Sequence, residues 1–375
     1  MKNKILITIF TLWFGLPTAY AFETKATHAI LMDANTGAIL YQKDAETAMP
    51  PSSMSKLMTV YMVFDSLTKG NLSLEDKFMV SERAWRMQGS KMFIHINDQV
   101  SIHDLLLGVI VQSGNDACIT LAEGLMGSEE AFANAMNEKA KEIGLKNSYF
   151  VNSTGWPNDN HYMTALDLAT LSKRLINDFP QYYHYFSIKD FTYNNIRQEN
   201  RNMLLSRNIG VDGLKTGHTD GAGYGIAVSA EQKGRRLIMV VNGLKGTVER
   251  AQESEKLLLY GFLNFANITV AKAGEVLDKV RVWRGEKKFI DIAPSQDIIV
   301  TLPKTEIAKY KMTLNYATPQ IAPIKAGQNI ATLTVTAPSI TPQIFNIHAK
   351  ENNHAVSAFK RVIENITYYL FGLKD

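Results

Sequence analysis

Residues 57–64, Leu-Met-Thr-Val-Tyr-Met-Val-Phe, hold no charged side chain, and Pro50-Pro51 stands a few residues upstream. A run that is apolar all round reads as an element buried on every side. Proline just ahead of it favours a helix start, because it fixes φ and needs no partner for an N–H. Between the prolines and the run lies Ser53-Met54-Ser55-Lys56. With Ser53 at the helix start, Lys56 lies one turn on, on the same face. A hydroxyl and an amine held within reach are what a serine nucleophile with a lysine base requires. The helix N-terminus adds positive potential where an alkoxide would develop.

Ser-x-x-Lys is a loose pattern and occurs three times in the chain. Ser66-Leu67-Thr68-Lys69 precedes Gly70-Asn71 and reads as the polar end of the same helix. Ser357-Ala358-Phe359-Lys360 lies in the C-terminal tail. The first copy stands out by its buried helix and by two later motifs that follow it in order.

Residues 1–21 have a basic start at Lys2 and Lys4, an apolar core from Ile5 to Leu16, and Ala19-Tyr20-Ala21 as a small-x-small cleavage site. That is the pattern of a secretory signal, too short and wrongly flanked for a membrane span. The remaining chain, about 350 residues, suffices for two cores. The formal net charge of +4 includes both leader lysines, and no long basic block exists, so nucleic acid is not an expected partner. Cys118, the only cysteine, sits in apolar context and can form no internal disulfide; a small buried hydrophobe is the expectation. The eight histidines are scattered without metal spacing, so neither metal nor cofactor is expected.

Ala29–Met32 and Ala38–Tyr41 flank the turn-rich Asp33-Ala34-Asn35-Thr36-Gly37 and predict a β-hairpin. Residues 72–100 are loop-rich, with Val80–Glu82 and Phe93–Ile96 as candidate short elements. Residues 101–178 are mostly helical: an apolar helix over 105–111 behind a Ser101 cap, others over about 116–126 and 129–143, and a fourth from Thr164, with Asp167 where a capping side chain belongs. Strands follow at 211–217, 224–230 and 236–242, then helix over 248–266. This describes one α/β domain, residues 22–266, whose sheet is assembled from both ends of the segment. Residues 267–352 alternate β-branched runs with Gly and Pro turns and predict a small all-β domain without grouped catalytic residues, a spacer or docking module. In the tail, residues 353–375, Phe359, Val362, Ile363, Ile366, Tyr369, Leu370 and Leu373 fall at helical spacing, giving an amphipathic helix suited to a membrane interface. The alternative is packing on the β domain.

Three motifs stand in order: Ser53-x-x-Lys56, Ser113-Gly114-Asn115 and Lys215-Thr216-Gly217. Ser206-Arg207-Asn208 is a decoy for the second; Lys-Thr-Gly occurs once. The trio resembles the penicillin-binding proteins and serine β-lactamases. With Asp33–Gly37, Ser113–Ala117 and Val211–Thr219, the chain closely resembles the low-molecular-mass D-alanyl-D-alanine carboxypeptidases over essentially its whole length. The resemblance implies the α/β (α+β) penicillin-recognising fold: an antiparallel sheet with a helical cluster, followed by the β domain and the anchoring helix. It also implies an exported enzyme on the periplasmic face of the inner membrane, trimming peptidoglycan pentapeptide stems and acylated by β-lactams.

Acyl transfer needs a nucleophile, a base, an oxyanion site and a grip on the substrate. Ser53 is the expected nucleophile. Lys56 is the base, with burial and Lys215 expected to lower its pKa. Ser113 would pass a proton to the leaving amine, and Asn115 would hydrogen-bond the substrate backbone. Lys215 and Thr216 would hold the terminal carboxylate, with Gly217 leaving the strand open to an extended peptide. The resemblance places oxyanion donors at the backbone N–H groups of Ser53 and His218, and Arg201 and Arg250 near the carboxylate site. Gly114 replaces the Asp usual in β-lactamases, and no Glu-x-x-Leu-Asn element lies between motifs two and three, so a penicillin acyl-enzyme should be long-lived. The rival readings are a DD-endopeptidase on the same fold and a catalytically weak wall-binding scaffold.

Overall fold

The computed structural model describes residues 22–371. The leader and Leu373 lie outside them. Strand β1 (His28–Asp33) and β2 (Ile39–Lys43) form the predicted hairpin. Strands β3 (Val211–Thr219), β4 (Gly223–Gln232) and β5 (Arg235–Leu244) come from the far end of the segment. The five make one antiparallel sheet in the order β2-β1-β5-β4-β3. β5 therefore docks beside β1, and β3 is left as an edge.

Alternation along the strands separates two cores. Ile30, Met32, Ile238 and Val240 face a helical cluster; Ala29, Leu31, Met239 and Val241 face the opposite side. The cluster holds α1 (Lys56–Thr68), α2 (Ile102–Leu107), α3 (Asn115–Met126), α4 (Glu129–Glu142) and α5 (Ala165–Asp178). The opposite face is covered by α6 (Thr247–Asn264), through Leu257 and Leu258. Every residue of α1 from Lys56 to Phe64 is buried; the charge-free run over 57–64 accounts for all of them except Lys56.

Two local expectations are corrected. Phe93–Ile96 forms no regular element: Phe93 has φ 67°, and the amides of Met92 and Phe93 donate to the Asp116 carboxylate instead of a strand partner. Asp167 does not cap its own helix. Thr164 does that, and the Asp167 carboxylate accepts from the amides of Lys146 and Asn147 and the Ser148 hydroxyl.

Helix α6 passes directly into the strand Phe265–Ala271, which pairs with Ile298–Pro303 beside a six-stranded sheet. The buried Asp33 carboxylate clamps this junction. One oxygen accepts from Asn35 and Thr36 amides (both 3.1 Å) and from Asn267 Nδ2 (3.2 Å); the other takes Arg235 Nε at 2.8 Å. Arg235 Nη1 in turn donates to the carbonyls of Gly261 and Phe265. The hairpin loop also meets the β unit through the Thr36 and Thr301 hydroxyls, 2.5 Å apart. Asp33-Ala34-Asn35-Thr36-Gly37 is thus more than a turn; it ties the two units together.

At the tail, α7 (Ala358–Phe371) leaves Phe359 78 % and Tyr369 90 % exposed, with Val362 and Ile366 also exposed. Among the described residues no helix is long and apolar enough to cross a membrane.

Removing one partner of a buried ion pair leaves the other charge uncompensated, typically at about 3–5 kcal/mol. Asp33→Ala should lower unfolding stability by about that much, read from urea denaturation, and should expose the 264–268 junction to limited proteolysis. A change within error would show that Asp33 is not the clamp.

Candidate active site

Pro51 accepts a hydrogen bond from the Met54 amide (3.1 Å), opening a 3-10 turn over Ser52–Ser55 ahead of α1. In a 3-10 turn, residues three apart eclipse more closely than in an α-helix. Lys56 Nζ consequently lies 2.9 Å from Ser53 Oγ and donates to it, and also donates to the Thr154 carbonyl at 2.5 Å. Lys56 is 0 % exposed. Burial lowers its pKa to about 8, with Arg201 adding to the effect and Cys118, Asp116 and Glu129 opposing it. Sequence reasoning names Lys215 as the depressing cation. The structure adds Arg201 to that effect, and the two lysines, both buried, lower each other.

The second motif follows from α2. The helix widens into a π turn over Gly108–Gln112 and ends at Ser113, which has φ 67° and ψ 31°. A left-handed serine is strained backbone, the kind found where surrounding structure fixes a functional group. Its Oγ is buried without a hydrogen-bond partner among the described residues. Asn115 begins α3; its Nδ2 donates to the Gln88 carbonyl at 2.8 Å, which fixes the orientation of the side-chain amide.

The third motif lies on β3. Lys215 is 2 % exposed, with Nζ donating to the Thr216 carbonyl at 3.1 Å. Burial, then Lys56 and Arg201, hold its pKa well below the usual lysine range. Thr216, Gly217 and His218 face a cleft of about 440 Å³ that Ser53 and Ser113 also line. A Cβ on Gly217 would meet the Pro51 carbonyl at 3.0 Å and the Met54 amide at 3.2 Å. Its missing side chain therefore lets the strand lie against the Ser53 turn, a role beyond the open approach expected from the motif. The His218 ring stacks on Tyr224, centroids 3.9 Å apart. Arg201 and Arg250 complete the wall: Arg201 Nη1 donates to Ser90 Oγ at 2.7 Å, and Arg250 Nη2 to the Arg201 carbonyl at 3.1 Å. Burial lowers the pKa of both, that of Arg250 to about 10. The decoys lie elsewhere: Lys69 pairs with Asp65 at the helix end, and Arg207 with Glu255.

Sequence reasoning missed Ser90, Tyr224 and, above all, the loop 152–156. This loop supplies the carbonyl that holds Lys56. Asn152 Oδ1 accepts from Thr154, Gly155 and Trp156 amides, while the buried Glu129 carboxylate accepts from the Ser153 amide and hydroxyl and pairs with Arg83. A backbone carbonyl has no residue-type signature, so no motif could have found it. Gly155 could have been flagged as a turn. It has φ +73°, and a Cβ there would fall 2.0 Å from the Ser52 carbonyl.

The sheet with its helical cluster and appended β unit is the penicillin-binding protein fold. Penicillin binding protein 5 from Haemophilus influenzae superposes with a TM-score of 0.83 at 36 % identity, covering 89 % of this chain and 99 % of that one. Penicillin-Binding Protein D2 from Listeria monocytogenes, in its ampicillin-bound form, gives 0.59 at 32 %, covering 66 % and 100 %. The D-alanyl-D-alanine carboxypeptidase DacC of Escherichia coli (strain K12) is 41 % identical over 337 residues, 86 % of this chain and 84 % of its own. The family profile of D-alanyl-D-alanine carboxypeptidase matches residues 17–246, and that of the penicillin-binding protein 5 C-terminal domain residues 265–350. The chain belongs to the D-alanyl-D-alanine carboxypeptidase family, and its activity is that of a serine-type D-Ala-D-Ala carboxypeptidase.

Gly155→Ala combines a strained φ with a clash against backbone that cannot turn aside. It should slow covalent labelling by a fluorescent penicillin at least tenfold while the chain still folds by circular dichroism, a change of roughly 1.4 kcal/mol or more in barrier. Unchanged labelling would mean that the loop does not position Lys56.

Proposed function

We propose that Ser53 attacks the carbonyl between the two terminal D-alanines of a peptidoglycan pentapeptide stem and that Lys56 takes its proton. The observation that carries this reading is the 2.9 Å contact between a buried amine and that hydroxyl, with the amine's pKa lowered to about 8. A base working near its own pKa is efficient. Ser113, with its unpartnered Oγ, passes a proton to the departing amine. The Asn115 amide donates to Gln88, which leaves its oxygen to accept a substrate N–H. Backbone N–H groups of Ser53 and His218 receive the oxyanion; such donors are each worth about 3 kcal/mol of barrier.

The terminal carboxylate sits against Thr216, Arg201 and Arg250, where bidentate arginines suit it. Lys215, the buried residue before Thr216 on β3, shares in that grip. An arriving carboxylate raises the pKa of nearby ammonium groups and so opposes the lowering that burial imposes on Lys215. The substrate adds along the free edge of β3, with Gly217 and His218 in the contact. The loop 152–156 offers a carbonyl to Lys56 and brings no carboxylate of its own to the pair. A penicillin acyl-enzyme is therefore long-lived, and penicillins inhibit. The ampicillin-bound relative supports β-lactam recognition by this cleft.

We also propose that the enzyme is exported, that residues 22–266 form the catalytic unit and 267–352 a spacer, and that 353–375 rest in the periplasmic face of the inner membrane. Support comes from the leader pattern and from the uncovered apolar side chains of α7.

Ser53→Ala should abolish labelling by fluorescent penicillin and lower D-alanine release from pentapeptide on the order of 10³-fold or more. Ser66→Ala should leave both unchanged; loss of labelling there would mean the wrong serine was chosen. Below about pH 8 Lys56 holds its proton and cannot accept another. The acylation rate should therefore rise with pH and level off near 8, and Arg201→Gln, by removing a lowering charge, should shift that limb upward. A flat profile between pH 6 and 9 would contradict Lys56 as base. Deletion of residues 357–375 should move the enzyme from the membrane pellet to the soluble fraction with activity on soluble peptide intact; continued sedimentation would sink the anchor reading.

A further inference from the structure

Asp116 is 1 % exposed, and among the described residues no lysine, arginine or histidine pairs with it. Backbone amides stand in for a counterion. Oδ1 accepts from Met92 at 3.0 Å and from Ala117 at 2.9 Å, and Oδ2 accepts from Met92 and Phe93, both at 3.1 Å. Phe93 has φ 67°, a left-handed turn of the kind that brings successive amides round to one anion. Burial raises the Asp116 pKa, and these amides oppose the rise.

The segment held in this way, residues 88–93, reaches two groups assigned to substrate. The Gln88 carbonyl accepts from Asn115 Nδ2, and the Ser90 carbonyl accepts from the Asn115 backbone amide at 2.7 Å. The Ser90 hydroxyl accepts from Arg201 Nη1 at 2.7 Å. The Ser53 hydroxyl and the Lys56 amine bond to each other and to Thr154 instead.

Gly114 answers to the same carboxylate. Its φ of −59° and ψ of 117° suit any residue, so the backbone does not call for glycine. The space does: a Cβ there would fall 2.8 Å from Asp116 Oδ1 and 3.1 Å from the Met92 amide nitrogen. The bond between carboxylate and amide occupies the volume that a side chain at 114 would take.

We propose that Asp116 is a positioning residue: its carboxylate seats residues 88–93 and through them orients the Asn115 amide and the Arg201 guanidinium for substrate, and Gly114 is bare to admit it. The inference rests on the carboxypeptidase reading of the Ser53 cleft, in which those two groups bind the stem. A carboxylate is needed because it only accepts. An asparagine of the same shape turns an NH2 group on to one pair of the amides.

The test uses the full chain and Nα,Nε-diacetyl-L-lysyl-D-Ala-D-Ala, with saturating fluorescent penicillin to count folded sites. Asp116→Asn should raise KM about tenfold and leave kcat within about threefold of the parent, the pattern of lost binding with the Ser53–Lys56 pair intact. Gly114→Ala should do the same, and the two together should cost no more than about twofold beyond the larger single effect, because both break one contact. In an Arg201→Gln background the KM effect of Asp116→Asn should fall to about threefold, since one of its two routes is gone. A merely loosened protein would lose kcat along with KM, and by the same factor in both backgrounds. KM within about twofold of the parent in Asp116→Asn, additive effects at 114 and 116, or an undiminished effect in Arg201→Gln would each overturn the proposal. If Asp116→Asn takes up no penicillin, Ser90→Ala decides: KM should rise about threefold in the parent and stay unchanged in Arg201→Gln, and an unchanged KM in the parent would overturn the route. No D-alanine release by the parent enzyme would instead overturn the carboxypeptidase reading.

Discussion

An ammonium group stripped of water must find partners or give up its proton, and Lys56 lies where it does some of each. Its whole side chain is buried at the first turn of a helix that is buried on every side as far as Phe64. It meets one hydroxyl and one carbonyl, and no carboxylate touches it closely enough to restore an ordinary pKa. Much of the surrounding structure maintains that arrangement. Glu129 and Asn152 stiffen the loop that presents the carbonyl. Gly155 and Gly217 let that loop and β3 close on the Ser53 turn from two sides. Burying a lysine this deeply is unfavourable by itself, so the surrounding packing must hold it in place.

The placement of the segments that line the cleft is a matter of topology. β3 is an edge because β5, not β3, pairs with β1. Its outer side is thereby free to meet an extended peptide, while its inner residues pack against the Ser53 turn. The helical cluster delivers Ser53 and Ser113 to the same side of that edge, one from the start of α1 and the other from the strained end of α2. Arg201 and Arg250 arrive from a loop and from α6, and they hold each other through a backbone carbonyl.

Sequence exposed what depends on side-chain identity and local period. The hairpin, the charge-free helix, the strands of the sheet and the three motifs all have such signatures, and the family profiles confirm the kind of protein they define. Features that depend on backbone groups or on distant partners were hidden. Thr154 works through its carbonyl, Asp116 sequesters amides from a segment that reads as a short regular element, and Asp167 ties down a loop instead of a helix end. The lysine-to-lysine repulsion was anticipated, but the added charge of Arg201 was not, because spacing does not encode it.

The passage of α6 into the strand Phe265–Ala271 without an intervening loop, together with the Asp33 clamp, has a mechanical corollary. A hinge needs a few residues free to change φ and ψ, and this junction has none. The two units must tilt as one lever. A surface that held the far end would thereby set the height and bearing of the cleft.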